Sequence, residues 1–249
     1  MSNNGVGRGL EGRRIVVTRP ADRARSLADR LQALGAIPIV FPTIRIEPAD
    51  PGPLLAAARA VGTFDWIVLT SAHGVEAFFG ALAAAGKNAR DLGGRKVAAI
   101  GPVTARALRE RGVEPALVPA EFVAEAVLAA MGEVRGRRCL LPQADLARET
   151  LAAGLRDRGA VVTEVTAYRT VGADGPPPDL TGADAVTFTS SSTVRHFVAS
   201  GAAPAGAKVV CIGPVTAATA RELGLTVAAV AAEHTEDGLI QALEGAFNA

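Results

Sequence analysis

Short apolar runs alternate with stretches of helical periodicity along the whole chain. This alternation predicts parallel strands joined by helices that cover both faces of a sheet, which is an α/β fold. The stronger strand predictions are residues 14–18, 64–70, 96–101, 139–142, 183–189 and 208–213. Weaker strands are predicted at residues 114–118, 160–165 and 226–230.

The chain contains an internal repeat. The hexapeptide Ile-Gly-Pro-Val-Thr-Ala occurs at residues 100–105 and 212–217, each time between an apolar run and a helical pattern. Further matched pairs are Asp65 and Asp184, Thr70 and Thr189, Ser71 and Ser190, and Arg14 and Arg138. Two copies are too few for a solenoid, so the repeat predicts two similar lobes with parallel sheets and a cleft between them.

Two stretches interrupt the alternation. Residues 38–48 are bounded by prolines, and residues 165–172 are rich in β-branched side chains. Both features favour extended backbone rather than helix. Because the two stretches occupy equivalent places in the two copies, they predict a two-stranded linker between the lobes.

Composition restricts the classes of partner. Lys and Arg number 26 against 25 Asp and Glu, so no net field attracts nucleic acid or an anionic membrane. Residues 1–12 lack the apolar stretch of a secretory signal, and no apolar run approaches the ~20 residues that span a bilayer. We therefore expect a cytoplasmic protein that binds neither nucleic acid nor membrane.

Small and hydroxyl residues recur where strands end and helices begin. In a parallel sheet these junctions share one edge and expose unpaired helix amides, which suit carboxylates or phosphates. The junctions are residues 18–20, 70–72, 101–104, 189–192 and 213–216. Simple helix capping is the alternative explanation of each. Since dinucleotide and Walker glycine patterns are missing, a ligand with several dispersed anionic groups fits better.

Other candidate chemistry is sparse. Cys139 and Cys211 lie inside apolar strand patterns, so we expect buried thiols rather than a disulfide or a catalytic thiol. The three histidines lack metal-ligand spacing, and no metal is expected. Trp66 lies in a strand and is predicted to be core. Tyr168, the only tyrosine, lies in the second linker stretch, where packing between lobes and a functional role are equally plausible.

These features together resemble uroporphyrinogen-III synthase of tetrapyrrole biosynthesis. The resemblance covers nearly the whole chain and rests on residues 15–20, 69–75, 148–168, 212–217 and 233–239. It implies one lobe from residues 1–38 with 172–249, another from 47–164, and linkers at 39–46 and 165–171. The repeat alone does not distinguish this exchange from two consecutive domains.

The resemblance also implies a reaction. Family members close hydroxymethylbilane with inversion of its last pyrrole ring and loss of water, without a cofactor. Tyr168 matches a family tyrosine that could donate a proton to the departing hydroxyl. The residues expected to contact the substrate are Thr18, Arg19, Ser71, Ser190, Ser191, Val215, Thr216 and Thr235. At Gln143 the chain departs from common family variants, so no charge contact is expected there.

Three other functions compete. A non-catalytic two-lobed protein that binds a polyanionic small molecule would share the cleft, but its usual form needs an export signal. An amino-acid racemase would need paired thiols, and Cys139 and Cys211 are not equivalent in the repeat. A nucleotide-sugar transferase would show a nucleotide fingerprint. We expect a monomer, and docking of the preceding pathway enzyme stays open.

Overall fold

The computed structural model describes residues 9–248. They form two compact units. The first comprises the described residues up to Ile46 and those from Val171 onward, and the second is Glu47–Thr170. The first unit is therefore assembled from both ends of the chain.

The helices and strands follow the predicted alternation. In chain order they are β1 (Arg14–Val17), α1 (Ala21–Ala33), β2 (Ile37–Val40), β3 (Ile44–Pro48), α2 (Pro51–Arg59), β4 (Trp66–Leu69), α3 (Ala72–Ala84), β5 (Lys96–Ala99), α4 (Pro102–Glu110), α5 (Ala124–Ala130), β6 (Arg138–Ala144), α6 (Thr150–Asp157), β7 (Val161–Gly172), β8 (Ala185–Phe188), α7 (Ser191–Ala199), β9 (Lys208–Cys211), α8 (Pro214–Glu222), β10 (Val227–Val230) and α9 (Glu236–Asn248). Short 3-10 helices lie at Val61–Thr63 and Ala89–Leu92.

Each unit is built on a five-stranded sheet. The first sheet has the order β10-β9-β8-β1-β2, and all of its strand pairs are parallel. The second has the order β3-β7-β6-β4-β5, and β7, β6, β4 and β5 pair in parallel. β1 pairs with β8, and β4 pairs with β6, so segments distant in sequence complete each sheet.

Apolar layers cover both faces of each sheet. In β1, Ile15 and Val17 pack with residues of α1 and α9, whereas Val16 packs on the opposite face with residues of α7 and α8. This follows from the alternation of side chains along a strand. In the second sheet the two faces pack against α2, α3 and α4, and against α5 and α6. Trp66 and both cysteines are buried in these layers, as predicted.

The predicted α/β class is confirmed, with one strand prediction wrong. Residues 114–118 do not form a strand; only an isolated bridge joins Leu117 to Ala98. Pro115 lacks the amide hydrogen that a ladder needs, and Pro119 follows closely, so only Ala116 and Leu117 bond to β5.

The two extended stretches also differ from the sequence pattern. Residues 160–165 and 165–172, expected as separate segments, form the single twelve-residue strand β7. Residues 38–48 instead break into β2, which joins the first sheet, and β3, which lies beside β7 in the second. A continuous β7 places Tyr168 on a strand paired with β6.

Candidate functional site

The carboxyl edge of the first sheet collects most of the predicted ligand residues. Because its strands are parallel, their carboxyl ends share one edge, and α1, α7, α8 and α9 begin there. The residues at these junctions are Thr18, Arg19, Ser190, Ser191, Val215, Thr216 and Thr235. The topology therefore places seven sequence predictions along one edge.

The start of α8 exposes unpaired backbone donors. Gly213 is the N-cap residue and Pro214 occupies the first helical position, so no side chain caps this helix. The amides of Val215 and Thr216 therefore have no partner within the helix. A β-carbon on Gly213 would lie 2.9 Å from Cδ2 of His234, so any larger residue at this position would displace that ring. Two unpaired amides at a helix N-terminus favour the binding of a carboxylate.

The hydroxyl of Thr216 differs from the other predicted hydroxyls. Within residues 9–248 it makes no hydrogen bond, although the residue is only 5% exposed. The side chains of Ser190, Ser191 and Thr235 all have internal partners. Ser190 Oγ accepts from the Thr193 amide at 3.2 Å, Ser191 Oγ from Thr219 Oγ1 at 2.8 Å, and Thr235 Oγ1 from the Gly238 amide at 3.1 Å. Capping therefore explains Ser190 and Thr235, while Thr216 keeps its hydrogen-bonding capacity.

We expect Thr216→Val to raise KM about tenfold and to leave the free energy of unfolding nearly unchanged. The substitution removes a hydroxyl without an internal partner, and a hydrogen bond to a charged group is worth about 1.5–3 kcal/mol. Steady-state kinetics and urea unfolding measure the two effects. Thr219→Val is the control for the unfolding assay because it loses an internal bond. An unchanged KM would contradict a hydroxyl contact and leave only the Thr216 amide.

Thr18 and Arg19 are committed to contacts inside the first unit. Thr18 is fully buried, and its hydroxyl donates to the Thr187 carbonyl at 2.6 Å. The Arg19 guanidinium pairs with the Glu236 carboxylate, and the two side chains are 17% and 23% exposed. Glu236 also accepts from Ser26 Oγ at 3.0 Å. Glu236 thus neutralises Arg19, and substrate contacts from Thr18 and Arg19 stay predictions.

The second unit brings together the two predicted residues Ser71 and Tyr168. Ser71 is the N-cap of α3, and its Oγ accepts from the Gly74 amide at 3.0 Å. The Tyr168 hydroxyl donates to the same Oγ at 2.9 Å. The His73 ring lies beside the phenol ring, with centroids 5.7 Å apart. Sequence reasoning missed this pairing because no local pattern relates β7 to the start of α3.

The environment of Tyr168 keeps its phenol protonated. Burial raises the pKa of Tyr168 above its ordinary value; the Ser71 hydrogen bond lowers it less, and the Asp145 carboxylate adds a small increase. A protonated phenol at neutral pH donates a hydrogen bond or a proton and does not act as a base. Tyr168 is therefore suited to the donor role that the resemblance implies.

Other reactive centres are not evident in the described part of the chain. Residues 9–248 contain no cluster of three or more His, Cys, Asp or Glu side chains placed to hold a metal. Burial raises the pKa of both Cys139 and Cys211 to about 11, which keeps these thiols protonated and unreactive. None of the described helices has the length and hydropathy needed to cross a membrane.

Comparison with known proteins gives one consistent result. Residues 25–241 match the family described as "Uroporphyrinogen-III synthase HemD". The uroporphyrinogen-III synthase of Synechococcus elongatus is 36% identical, over 94% of this chain and 96% of the relative. A putative uroporphyrinogen-III synthase of Methanothermobacter thermautotrophicus is 32% identical, over 92% and 96%. A mutant Thermus thermophilus uroporphyrinogen III synthase structure shares the fold, with a TM-score of 0.70, 22% identity and coverage of 95% and 99%.

Proposed function

Because this chain belongs to the uroporphyrinogen-III synthase family, we propose that it converts hydroxymethylbilane to uroporphyrinogen III with inversion of the last pyrrole ring and loss of water. The protein is a lyase of tetrapyrrole biosynthesis. The family match over residues 25–241 is the observation that carries the proposal. Two features of the structure support it. The helix starts supply backbone amides that can donate to carboxylates, and the Tyr168–Ser71 pair supplies a proton donor.

Substrate binding relies mainly on neutral donors. Hydroxymethylbilane carries an acetate and a propionate on each pyrrole, so its negative charges are widely spread. Helix amides such as those of Val215 and Thr216 bind carboxylates without a strongly basic surface. The net charge of +1 and the neutralisation of Arg19 by Glu236 fit this mode of binding.

Proton donation by Tyr168 starts the reaction. The phenol transfers its proton to the terminal hydroxyl, the C–O bond breaks, and water departs to leave an azafulvenium cation and the Tyr168 phenolate. Attack by the substituted carbon of the last ring gives a spiro intermediate, which fragments and closes again at the free carbon. The final closure releases one proton from that carbon, so the cycle balances when the Tyr168 phenolate regains a proton.

Ser71 complements Tyr168 through a rotatable hydroxyl. In the structure Ser71 Oγ accepts the Tyr168 hydrogen. Rotation would let Ser71 donate to the phenol oxygen while Tyr168 donates to the substrate, because a hydroxyl both donates and accepts. The Ser71 hydrogen would then stabilise the developing phenolate.

The remaining task of the protein is positioning. Without the enzyme, hydroxymethylbilane closes directly to the type I isomer, so the energy barrier to closure itself is low. Fixing several carboxylates selects the conformation in which the substituted carbon attacks first. A set of directed amides can provide this selection without a cofactor.

Isomer analysis tests the proposal. Hydroxymethylbilane is generated in situ, this protein is added, and the products are oxidised and separated as type I and type III uroporphyrins. We expect a type III fraction that rises with protein concentration. Type I alone, with circular dichroism showing a folded protein, would reject the activity and favour the non-catalytic binding protein.

We also propose that the protein acts in the cytoplasm as a monomer. Unpaired, buried cysteines fit a reducing compartment. One chain carries every candidate site residue, so the proposed chemistry needs no second copy. Light scattering at working concentration tests the oligomeric state, and a dimer would contradict it.

A further inference from the structure

A loop residue without an assigned role, Asp145, is bonded to the strand that carries Tyr168. β6 and β7 pair in regular parallel register as far as Gln143 opposite Thr166. At the next step Ala144 lies opposite Tyr168, so β7 contains one extra residue at this point. A bulge of this kind bends the strand and redirects its side chains.

Asp145 bonds to β7 through both its backbone and its side chain. Its amide donates to the Tyr168 carbonyl at 3.1 Å, and its Oδ1 accepts from the Thr170 amide at 3.0 Å. A single residue therefore fixes the backbone across residues 168–170. Because a charged acceptor forms the stronger kind of hydrogen bond, the carboxylate is the more important of the two contacts.

The repeat supplies an internal comparison. The positions equivalent to Asp145 and Tyr168 are Ala21 and Ile44 in the other copy. There the ladder of β1 with β2 covers only Arg14–Val17 and Ile37–Val40, and it ends before the position equivalent to the bulge. The carboxylate and the tyrosine thus occur together, in the copy that carries the bulge and places a phenol beside Ser71.

We propose that Asp145 is a positioning residue for Tyr168, whose carboxylate fixes the bulge that directs the phenol toward Ser71. The inference rests on the proposed function, in which Tyr168 protonates the leaving hydroxyl. Asp145 acts through Tyr168 and need not touch the substrate. A donor misplaced by about 1 Å can lose up to about 10²-fold in rate, so fixing this backbone matters for turnover.

The bond of Asp145 to β7, rather than its charge, carries the proposed role. The groups that face Tyr168 are Ser71, the N-cap of α3, His73 from α3, and Asp145 from the loop after β6. Burial is the main cause of the raised pKa of Tyr168, and Asp145 contributes less. Because Asp145 is exposed, water screens its charge, whereas its bond to Thr170 is partly buried.

A double-mutant cycle tests the proposal. We expect Asp145→Ala to lower kcat about tenfold, and Asp145→Asn to stay within about threefold of wild type because an amide oxygen still accepts from Thr170. In a Tyr168→Phe background, Asp145→Ala should change kcat by less than about twofold. Asp157→Ala is the control, since it removes the same charge from an exposed site at the end of α6.

A spectroscopic titration provides a readout independent of activity. Tyr168 is the only tyrosine, so tyrosinate absorbance against pH reports this residue alone. Asp145→Asn removes only the charge, which by itself lowers the pKa of Tyr168. Asp145→Ala also removes the bond to Thr170 and should loosen the ring, so its pKa should fall further toward the ordinary value than in Asp145→Asn. Asp157→Ala should leave the titration unchanged.

The outcomes separate this inference from the proposed function. A full tenfold loss in the Tyr168→Phe background, or a loss with Asp145→Asn equal to that with Asp145→Ala, would overturn the role of Asp145. A tyrosine pKa in Asp145→Ala equal to that in Asp145→Asn would overturn it as well. Failure of the wild-type protein to make type III product would instead reject the proposed function, and the titration would still test the geometry.

Discussion

Replacing Tyr168 by phenylalanine is expected to lower kcat about 10²-fold and to leave KM nearly unchanged, because a general acid typically contributes 10²–10⁴-fold. The phenyl ring keeps its packing beside His73, and Ser71 still caps α3 through the Gly74 amide. Slow turnover would allow spontaneous closure, so the type I fraction should rise. Isomer separation and initial rates measure both effects.

The pH dependence gives the same prediction a second test. A donor must be protonated, so wild-type kcat should fall as pH rises through the pKa of Tyr168. Burial raises that pKa, which moves this alkaline limb above the ordinary value for tyrosine. The limb should be absent in Tyr168→Phe. Wild-type kcat and type III yield in the variant would remove Tyr168 from the mechanism.

Gly238→Ala is expected to destabilise the first unit by about 3 kcal/mol, at the upper end of overpacking costs. A β-carbon on Gly238 would lie 2.1 Å from the backbone oxygen of Glu233, so the backbone must move. The displaced segment carries His234 and Thr235 at the start of α9. Urea unfolding measures the loss, and KM should rise in the fraction that stays folded.

Gly245 provides the matched control in the same helix. It is exposed, and a β-carbon there would meet nothing within 4 Å. Gly245→Ala should therefore stabilise the protein by about 0.5–1 kcal/mol, because alanine is the better helix former. Equal effects of the two substitutions would contradict the close approach of Glu233 to Gly238.

Parts of the candidate site were readable from sequence because they are local. Gly-Pro at the start of α8 and serine at the starts of α3 and α7 are capping signals, and the structure places each at the end of a strand. The bond between Tyr168 and Ser71, the pairing of Arg19 with Glu236 and the contact of Asp145 with Thr170 were not predicted. Each of these contacts joins two segments that the order of strands in a sheet brings together, and no local sequence pattern relates the two segments.

The sequence by itself determined the duplicated α/β pattern, the positions of the strong strands and the buried apolar layers, because alternation and periodicity are encoded within each segment. It left open which segments of the chain combine into each sheet. Asp184 accepts from Arg13 Nη1 and the Arg14 amide, and the equivalent Asp65 accepts from Arg137 Nη1 and the Arg138 amide. Because these Asp–Arg contacts are equivalent, they could form whether β1 pairs with β8 or with β4.

Only the tertiary structure decided that β1 pairs with β8. Hydrogen bonds between buried side chains and the backbone distinguish this pairing: Thr18 donates to the Thr187 carbonyl and Thr43 to the Thr193 carbonyl. The equivalent residues of the second unit are Pro142, Val68, Ala167 and Gly74. Gly74 has little room for a side chain, since a β-carbon would lie 3.3 Å from the Pro142 carbonyl oxygen. The choice of partner therefore depends on the complementarity of surfaces far apart in sequence, which no local pattern encodes.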